Sequence, residues 1–265
     1  MLVIAFRLVS LMIILTAAMV PVALAVNWWN ASRSMNPGTL LLGAPLVYVG
    51  WLMTLMVLFR IVLAPTKFFF PKPRFLEVTW TTQSMMAMAA IGLSYQVATL
   101  LRTLPLMPVF TTMPGLRSLY WHAYSRPPRM GRNFVCYGDL LDPDLVEIGD
   151  DVILGSGASL NAHSFVTRDH NFTYITGPIR IGSRVTIGAN SSIGMFSVIE
   201  DDVIIQASTR MGRTKHVGRG EVWGGSPARF LRMAEGFEHL ANERNNLEDG
   251  DDSSNEVHPD ATSIR

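Results

Sequence analysis

Large aliphatic residues recur every six positions between residues 148 and 217, with one interruption. Before the interruption the spacing joins Ile148, Leu154 and Leu160. After it, the spacing is kept by Ile181, Ile187, Ile193, Ile199, Ile205, Met211 and Val217. The next position is often glycine, and the fourth position after each aliphatic residue is small or β-branched. A period of six fits neither the 3.6-residue turn of a helix nor the two-residue alternation of a strand.

The spacing predicts an all-β fold in which each hexapeptide forms one flat face and one corner of a triangular coil. The aliphatic side chain points inward and stacks on its equivalents in the neighbouring coils, while backbone hydrogen bonds run between coils. Glycine suits the corner because it has no Cβ atom to clash there. The alternative is an irregular β-sandwich in which the spacing arises by chance.

Two apolar stretches in the first quarter of the chain are each long enough to cross a bilayer as a helix. Residues 2–26 and residues 40–63 are almost wholly apolar, and about 20 apolar residues suffice for a span. We therefore predict two transmembrane helices. For the first stretch the alternative is a cleaved signal peptide, since Ala23-Leu24-Ala25 has the small-residue spacing of a cleavage site. No basic segment precedes this stretch and a second one follows, which favours the transmembrane helix.

Charge is distributed unevenly along the chain. The sequence is 49% hydrophobic and 16% charged, whereas an ordinary soluble domain carries about 25% charged residues. Residues 1–120 contain a single acid, Glu77. This contrast predicts an α-helical membrane domain over residues 1–119 and a soluble domain over residues 120–232. A short helix and a disordered acidic tail are predicted over residues 233–265. The net charge of +1 does not favour nucleic acid as a partner.

The positive residues predict the orientation of the membrane domain. Lys67, Lys72 and Arg74 follow the second apolar stretch, whereas the loop between the two stretches carries only Arg33. Because positive residues favour the cytoplasmic side, the soluble domain is expected to face the cytoplasm. Residues 81–119 mix apolar with polar residues and contain helix-breaking prolines, which predicts interfacial or re-entrant helices. A third transmembrane span is the alternative there.

Two segments near the end of the ladder resemble a known family. Thr214-Lys215-His216-Val217 and the later Gly224-Gly225-Ser226-Pro227-Ala228-Arg229 are similar to the closing signature of hexapeptide-repeat acyltransferases. This resemblance covers residues 141–232 and implies a left-handed parallel β-helix. Residues 141–150 and 160–165 are also similar to the membrane-embedded C-terminal domains of poly-lysine-synthetase-like nonribosomal peptide synthetases. Those domains join transmembrane helices to β-helix modules.

The interruption of the ladder carries the candidate catalytic residue. From Leu160 to Ile181 the chain runs 21 residues, three more than three hexapeptides, which predicts a loop over residues 166–177. In the resembling acyltransferases a catalytic histidine stands just before such a loop, and His163 is the match. A neutral imidazole can take a proton from an attacking hydroxyl or amine at pH 7. The alternative is a structural histidine at a corner of the coil.

The resemblance also implies which residues bind the thioester. The backbone N–H of Ala189 is the candidate donor to the developing oxyanion. The candidate contacts along the pantetheine and phosphate path of CoA are Thr209, Thr214, Lys215, Arg229 and Arg232. The alternative is that Arg210, Arg213, Lys215 and Arg219 are a basic cluster that forms a solvated edge or leans on anionic lipid headgroups. The family pattern is not matched at Ala162, where glycine is frequent, or at Thr186, where tryptophan is common. The acceptor pocket is therefore expected to differ.

A metal centre is not predicted. The β-helix carbonic anhydrases hold a metal ion with three histidines, and a catalytic site of this kind needs three protein ligands. This chain offers His163 and His170, with no third histidine at a suitable offset along the coil.

Taken together, these features predict a membrane-anchored acyltransferase. It would move an acyl or aminoacyl group from acyl-CoA, or from another carrier-bound thioester, to the hydroxyl or amine of a small-molecule acceptor. The resemblance implies a homo-oligomer, either a trimer with the ligand between copies or a dimer enforced by the membrane hairpin. Membrane lipid is the other expected partner. The alternative from a different class is a non-catalytic, membrane-tethered β-helix module with a structural or assembly role.

Overall fold

The computed structural model describes residues 19, 22–23, 26–33, 36–69, 76–79, 85–104, 107–126, 128–168 and 171–241. Its larger part is a triangular coil of parallel strands, and helices precede this coil in the chain. Ile148, Ile181, Ile199 and Val217 lie in register on neighbouring strands of one sheet, so equivalent ladder residues stack from coil to coil. The predicted parallel β-helix is thereby confirmed.

Each turn of the coil places strands on three faces, which we name in chain order. The first face contains β2 (Arg129–Met130), β5 (Val146–Ile148), β10 (Ile179–Ile181), β13 (Val198–Ile199) and β16 (His216–Val217). The second face contains β3 (Val135–Cys136), β6 (Ile153–Leu154), β11 (Thr186–Ile187), β14 (Ile204–Ile205) and β17 (Glu221–Gly224). The third face contains β4 (Asp139–Leu140), β7 (Ser159–Asn161), β12 (Ser192–Gly194) and β15 (Arg210–Met211).

The ladder residues and the residues four positions after them fill the interior of the coil. Leu154 and Ile205 are fully buried, and so are Val152 and Val203. Burying each such aliphatic side chain stabilises the fold by about 1.5–3 kcal/mol. The two inward positions of every hexapeptide therefore build one continuous core.

The glycine after each ladder residue has a different role from the predicted one. The positive-φ residue of the corner stands two positions later and is usually not glycine, as at Asp151, Arg184 and Asn190. The glycine instead lies where one coil touches the next. A Cβ atom on Gly188 would stand 2.3 Å from the backbone nitrogen of Ala207. Close approach between coils, and not the bend of the corner, therefore requires glycine at this position.

The coil begins one turn earlier than the ladder predicted. Met130 pairs with Ile148 and Cys136 pairs with Leu154, each 18 residues further along the chain. Leu140 pairs with Leu160, which is 20 residues later. Leu140 comes only four residues after Cys136 and eight residues before Ile148, so the first coil does not keep the spacing of six. Asp142 follows this first coil, immediately before a short 3-10 helix, Pro143–Leu145.

The interruption of the ladder is an antiparallel hairpin where a loop was predicted. Its strands are β8 (His163–Arg168) and β9 (Asn171–Thr176), so regular pairing begins at His163 itself. A strand from the N-terminal half, β1 (Leu76–Thr79), adds to the other side of β9.

The helices before the coil include α1 (Pro37–Phe69), α2 (Met85–Thr103), α3 (Met107–Thr112) and α4 (Pro114–Tyr124), and residues 26–32 are helical as well. Helix α4 covers the open end of the first coil. The Arg117 guanidinium on α4 donates to the Phe134 carbonyl at 3.2 Å, and the Tyr124 hydroxyl donates to the Leu140 carbonyl at 3.2 Å. These bonds satisfy backbone carbonyls of the terminal coil that lack a further coil to pair with.

One helix in the described part is long and apolar enough to cross a membrane by length and composition, over Gly43–Ile61. It lies within α1, which contains the predicted helix over residues 40–63 and extends beyond both of its ends. Leu46 and Ile61 are largely exposed, while Leu52 and Phe59 are fully buried against the neighbouring helices. Most of the predicted span over residues 2–26 lies outside the described residues.

The segment after Ala228 is a strand, and it ends where the short helix was predicted to begin. Strand β18 (Arg229–Met233) pairs antiparallel with β17 and covers the edge of the second face. The edge of the last coil offers unpaired backbone groups, which a returning strand satisfies better than a helix does. A single 3-10 turn, Glu238–Leu240, follows. The predicted acidic tail beyond residue 241 lies outside the described residues.

Candidate functional site

His163 stands at the corner where the chain leaves the third face and enters the hairpin. Its Nδ1 atom lies 2.5 Å from Oδ2 of Asp142. Asp142 occupies the corresponding corner of the preceding coil, so the contact joins two stacked corners. The Asp142 side chain is 1% exposed, whereas the His163 side chain is 15% exposed and thus reaches the surface. The pair consists of a buried carboxylate and an accessible imidazole.

Three aromatic rings surround the imidazole. Tyr95 on α2, Phe165 on β8 and Tyr174 on β9 have ring centroids 4.6, 5.8 and 5.6 Å from that of His163. The Tyr95 hydroxyl contacts Asp142 Oδ1, lies 2.9 Å from His163 Nδ1 and lies 2.7 Å from the Tyr174 hydroxyl. Burial and the nearby Asp142 carboxylate raise the pKa of Tyr95 well above its ordinary value, so this hydroxyl stays protonated at neutral pH.

The contact with Asp142 determines which imidazole nitrogen carries the proton. An ionised carboxylate only accepts hydrogen bonds, so Nδ1 is the donor in this pair. In the neutral imidazole Nε2 then keeps its lone pair and can accept a proton. A carboxylate behind the ring also stabilises the imidazolium that forms after proton transfer. The arrangement is that of a general base with an orienting acid.

The corners that follow the third face form one continuous ridge, which we call the histidine edge. His163, Phe196 and Thr214 each stand three positions after the ladder residue of the third face in consecutive coils. Adjacent strands are about 4.8 Å apart, so Thr214 and the neighbouring Lys215 lie roughly 10 Å from His163 along this ridge. Thr214 has a φ of 57°. Both Thr214 and Lys215 are exposed, so a bound molecule could contact them.

Phe196 was not identified from the sequence, although it stands between His163 and Thr214. Its ring lies so close to Gly177 that a Cβ atom there would be 2.3 Å from the ring carbons. Gly177 therefore allows the ring to lie flat against the backbone where the hairpin rejoins the coil.

The corners that precede the third face form a second ridge, which we call the alanine edge. Ala189 lies on it, directly after β11 and before β12. Arg229 begins β18 beside the same edge in the last coil, and its side chain is exposed. Arg232 lies further along β18, opposite Val222, and its Nη1 atom donates to the Met233 carbonyl at 3.0 Å. Within one chain, the full width of the third face separates Ala189 from His163.

One candidate contact is corrected by its burial. Thr209 is fully buried inside the coil, and its hydroxyl donates to the Gln206 carbonyl at 2.7 Å. It occupies the inward position four residues after Ile205, which holds small or β-branched residues throughout the ladder. The side chain of Thr209 therefore supports the core and does not line a surface groove.

Part of the basic cluster at the end of the coil is engaged with acids. Arg219 forms an ion pair with Asp202 at 3.0 Å and lies over the Phe237 ring at 5.6 Å. Arg184 pairs with the same carboxylate. These residues lie at the corner between the first and second faces, away from the histidine edge. The solvated-edge interpretation fits them better than a ligand contact does.

Among the described residues, no three His, Cys, Asp or Glu side chains are grouped so that they could hold a metal ion. His170, the second histidine considered for such a role, lies outside the described part of the chain.

Asp142 and Tyr95 are the site residues that the sequence did not identify. Asp142 could have been found by extending the coil one turn towards the N terminus, which would have placed this acid one coil from His163. Tyr95 carries no sequence signal, because it belongs to a helix 68 residues before the histidine.

The fold and the site together define a class: a three-sided parallel β-helix with a His–Asp pair at an exposed corner. No protein-family model matches the chain. Among curated proteins, it is 30% identical over 97 residues to YvoF of Bacillus subtilis, an acetyltransferase by name. It is 31% identical over 116 residues to gamma carbonic anhydrase 1 of Arabidopsis thaliana mitochondria. It is 35% identical over 83 residues to a UDP-3-O-acylglucosamine N-acyltransferase of Rickettsia bellii.

These matches are confined to part of each protein. They cover 37%, 37% and 28% of this chain and 53%, 41% and 24% of the relatives, in the same order. Among solved structures, the chain is similar to galactoside acetyltransferase in complex with coenzyme A, with a TM-score of 0.45 and 19% identity over 63% of this chain and 88% of that one. The hexapeptide-repeat acetyltransferase VCA0836 of Vibrio cholerae with acetyl-CoA has a TM-score of 0.39 and 24% identity, covering 42% and 63%. The chain is similar, over part of its length, to relatives named as an acetyltransferase and an N-acyltransferase.

Proposed function

We propose that the protein is an acyltransferase that moves an acyl group from acyl-CoA, or another thioester, to a hydroxyl or amine acceptor. The observation that carries this proposal is the contact between Asp142 and His163 Nδ1, which leaves Nε2 outside the pair on a side chain that is 15% exposed. Exposed Thr214 and Lys215 on the same edge suit a long, anionic co-substrate. The acetyltransferase and N-acyltransferase names among the relatives support the same chemistry.

The proposed reaction uses His163 as a proton shuttle. Nε2 takes the proton of the acceptor as its oxygen or nitrogen forms a bond to the thioester carbonyl carbon. The resulting tetrahedral oxyanion needs a hydrogen-bond donor, for which the Ala189 backbone N–H is the candidate. The carbon–sulfur bond then breaks, and the imidazolium returns the proton to the leaving thiolate. The products are the acylated acceptor and the free thiol, and His163 ends in its starting state.

This reaction requires a second copy of the chain, because Ala189 and His163 lie on opposite edges of the third face. A neighbouring copy can bring its alanine edge against the histidine edge of the first. The second face supports such packing, since Val135, Ile153 and Ile204 are exposed apolar side chains in one column of this face, with Thr186 between Ile153 and Ile204. Burial of this column would stabilise a closed ring. We propose a homotrimer on this basis, with a dimer as the alternative.

We also propose that α1 anchors the protein in a membrane, with the coil on the cytoplasmic side where CoA is present. The apolar length of Gly43–Ile61 supports this proposal. The chain should then stay in the membrane pellet after an alkaline carbonate wash and should move to the supernatant only in detergent. Release by carbonate alone would contradict the anchor. An aminoacyl group on a carrier protein, delivered to an amine, is a variant of the same chemistry.

The function is tested by release of free thiol from acetyl-CoA in the presence of hydroxyl and amine acceptors. Replacing His163 by alanine should lower turnover at least about 100-fold with the fold intact, because a general base contributes about 10²–10⁴-fold. His216→Ala is the matched control, since His216 is exposed on the first face and pairs with Glu200. If the native protein releases no thiol with any acceptor and calorimetry detects no CoA binding, the non-catalytic module prevails.

A further inference from the structure

The helical half of the molecule contributes one side chain to the His–Asp pair. Tyr95 lies on α2 (Met85–Thr103), and its hydroxyl contacts both Asp142 and His163. The same helix is tied to the coil seven residues later, where Arg102 forms an ion pair with Asp139 at 3.2 Å. Residues seven positions apart lie on one face of a helix. The face of α2 that carries Tyr95 is thus docked along the first coil at two points.

One assignment of protons satisfies the contacts around the Tyr95 hydroxyl. A phenol has one proton to donate and accepts through its oxygen. Asp142 can only accept, so Tyr95 donates to Oδ1 while His163 Nδ1 donates to Oδ2. The Tyr174 hydroxyl can then donate to the Tyr95 oxygen at 2.7 Å. Both oxygens of a buried carboxylate are hydrogen-bonded in this arrangement, as burial of a charge requires.

We propose that Tyr95 is a positioning residue, which holds the Asp142 carboxylate in the orientation that keeps the proton of His163 on Nδ1. The site is then complete only when α2 is docked on the coil, so the helical half takes part in the reaction. This inference rests on the proposed acyl transfer, but its structural part does not require turnover. Tyr95 does not serve as the base itself, because its hydroxyl stays protonated at neutral pH.

The kinetic test is Tyr95→Phe, which removes the hydroxyl and keeps the ring. We expect kcat to fall about tenfold or more and KM to change less than about twofold, since the hydroxyl does not contact substrate. The acid limb of the pH profile of kcat/KM should move to higher pH. Without the Tyr95 donor, the charge of Asp142 favours the imidazolium more strongly, so more base is needed to free Nε2. The titratable side chains facing the imidazole are Asp142, Tyr95 and Tyr174.

The matched control is Tyr124→Phe. Tyr124 is another buried tyrosine between the helices and the coil, and its hydroxyl bonds the Leu140 carbonyl without touching the His–Asp pair. The Tyr124→Phe protein should be less stable, but the acid limb of its pH profile of kcat/KM should not move. If both variants lower kcat equally and neither moves the limb, the hydroxyls are merely structural and the positioning role is overturned.

A double-mutant cycle with Asp142→Asn keeps the test decisive if Tyr95→Phe destabilises the fold. If Tyr95 acts through Asp142, its removal should have little further effect on kcat once the carboxylate is gone. Additive losses would contradict the proposal.

A measurement without turnover separates this inference from the proposed function. Nitrogen NMR of histidine-labelled protein in detergent reports which ring nitrogen carries the proton, and the His163 signal is the one missing from His163→Gln. We expect native protein to hold the proton on Nδ1 and Tyr95→Phe to show a mixture of both forms. Identical spectra would overturn the role of Tyr95. If Tyr95→Phe shows both forms of His163 but the native protein transfers no acyl group, Tyr95 remains a positioning residue and the proposed function is rejected.

Discussion

At the scale of single residues, the site depends on a carboxylate held almost completely away from water. An unpaired carboxylate in such a place would cost several kcal/mol, so partners must surround it. Asp142 finds them in His163 and Tyr95, which approach it from the next coil and from α2. The imidazole stays partly exposed because it stands at the base of the hairpin and not inside the coil. The same corner of the coil therefore buries the Asp142 carboxylate and leaves the His163 imidazole partly exposed.

Replacing Asp142 by asparagine tests the orienting role. The amide keeps the shape of the side chain but can donate to Nδ1, which would place the ring proton on Nε2 and block proton transfer. We expect turnover to fall about 100-fold or more with KM nearly unchanged. Asp144→Asn is the matched control, because Asp144 is two residues away and accepts a hydrogen bond from the Ser125 hydroxyl at 2.8 Å. Equal losses in the two variants would contradict an orienting role specific to Asp142.

At the scale of elements, the coil is held together by close backbone contact between turns. The strands are only two to four residues long on most faces, so few hydrogen bonds join any one pair. Stability comes from repetition, since every turn stacks its inward side chains on the next and glycines such as Gly188 let neighbouring turns meet. The hairpin of β8 and β9 departs from this plan. It gains regularity from antiparallel pairing and from β1, a strand supplied by the N-terminal half.

Gly188 and Gly212 each follow a ladder residue. Comparing them tests whether glycine is needed there for close contact between coils or for backbone flexibility. Gly188→Ala would force a Cβ atom to 2.3 Å from the Ala207 nitrogen, whereas a Cβ atom at Gly212 meets nothing within 4 Å. We expect Gly188→Ala to lower the free energy of unfolding by at least about 2 kcal/mol. Gly212→Ala should change it by less than about 0.5 kcal/mol or raise it slightly. Thermal unfolding of the two variants checks this, and a stable Gly188→Ala protein would show that the coils can separate.

The six-residue ladder could be predicted from the sequence because its signal is local and repeated. Ile181, Ile187 and Ile193 each carry the same information, so one exception does not obscure the period. The first coil was missed because Leu140 follows Cys136 by only four residues, which breaks the spacing of six, and the strand β18 was missed because its partner lies on the far side of a turn. Pairing between strands depends on which edge is left open, and a single segment does not contain that information.

At the scale of the whole molecule, the third face lies between two edges that carry different parts of the candidate site. His163, Thr214 and Lys215 lie on the histidine edge, while Ala189 and Arg229 lie on the alanine edge. Neither edge alone holds the base, the oxyanion donor and the cationic contacts together. Tyr95 of the helical half contacts the His–Asp pair at one end of the histidine edge, and the proposed reaction requires a second copy of the chain along the rest of that edge.

Mixing two inactive variants tests whether the site is shared between copies. His163→Ala removes the base from the histidine edge, and Ala189→Phe fills the alanine edge. In mixed assemblies some interfaces combine an intact histidine edge with an intact alanine edge from different chains. For random mixing at equal amounts we expect about one quarter of the native activity to return. The controls are each variant alone and a mixture held under conditions in which the assemblies do not exchange subunits. No recovery after confirmed subunit exchange would place the whole site within one chain.

The amino-acid sequence by itself determined the repeating coil and the position of His163 at its interruption, because both follow from spacing along the chain. It also determined where apolar length suffices for a membrane helix. The tertiary structure alone decided that Asp142 and Tyr95 meet the imidazole, that Thr209 points inward, and that Ala189 lies across a face from the histidine. Contacts of this kind join segments tens of residues apart, and they depend on how coils stack and helices dock. No local pattern of polar and apolar residues records that geometry.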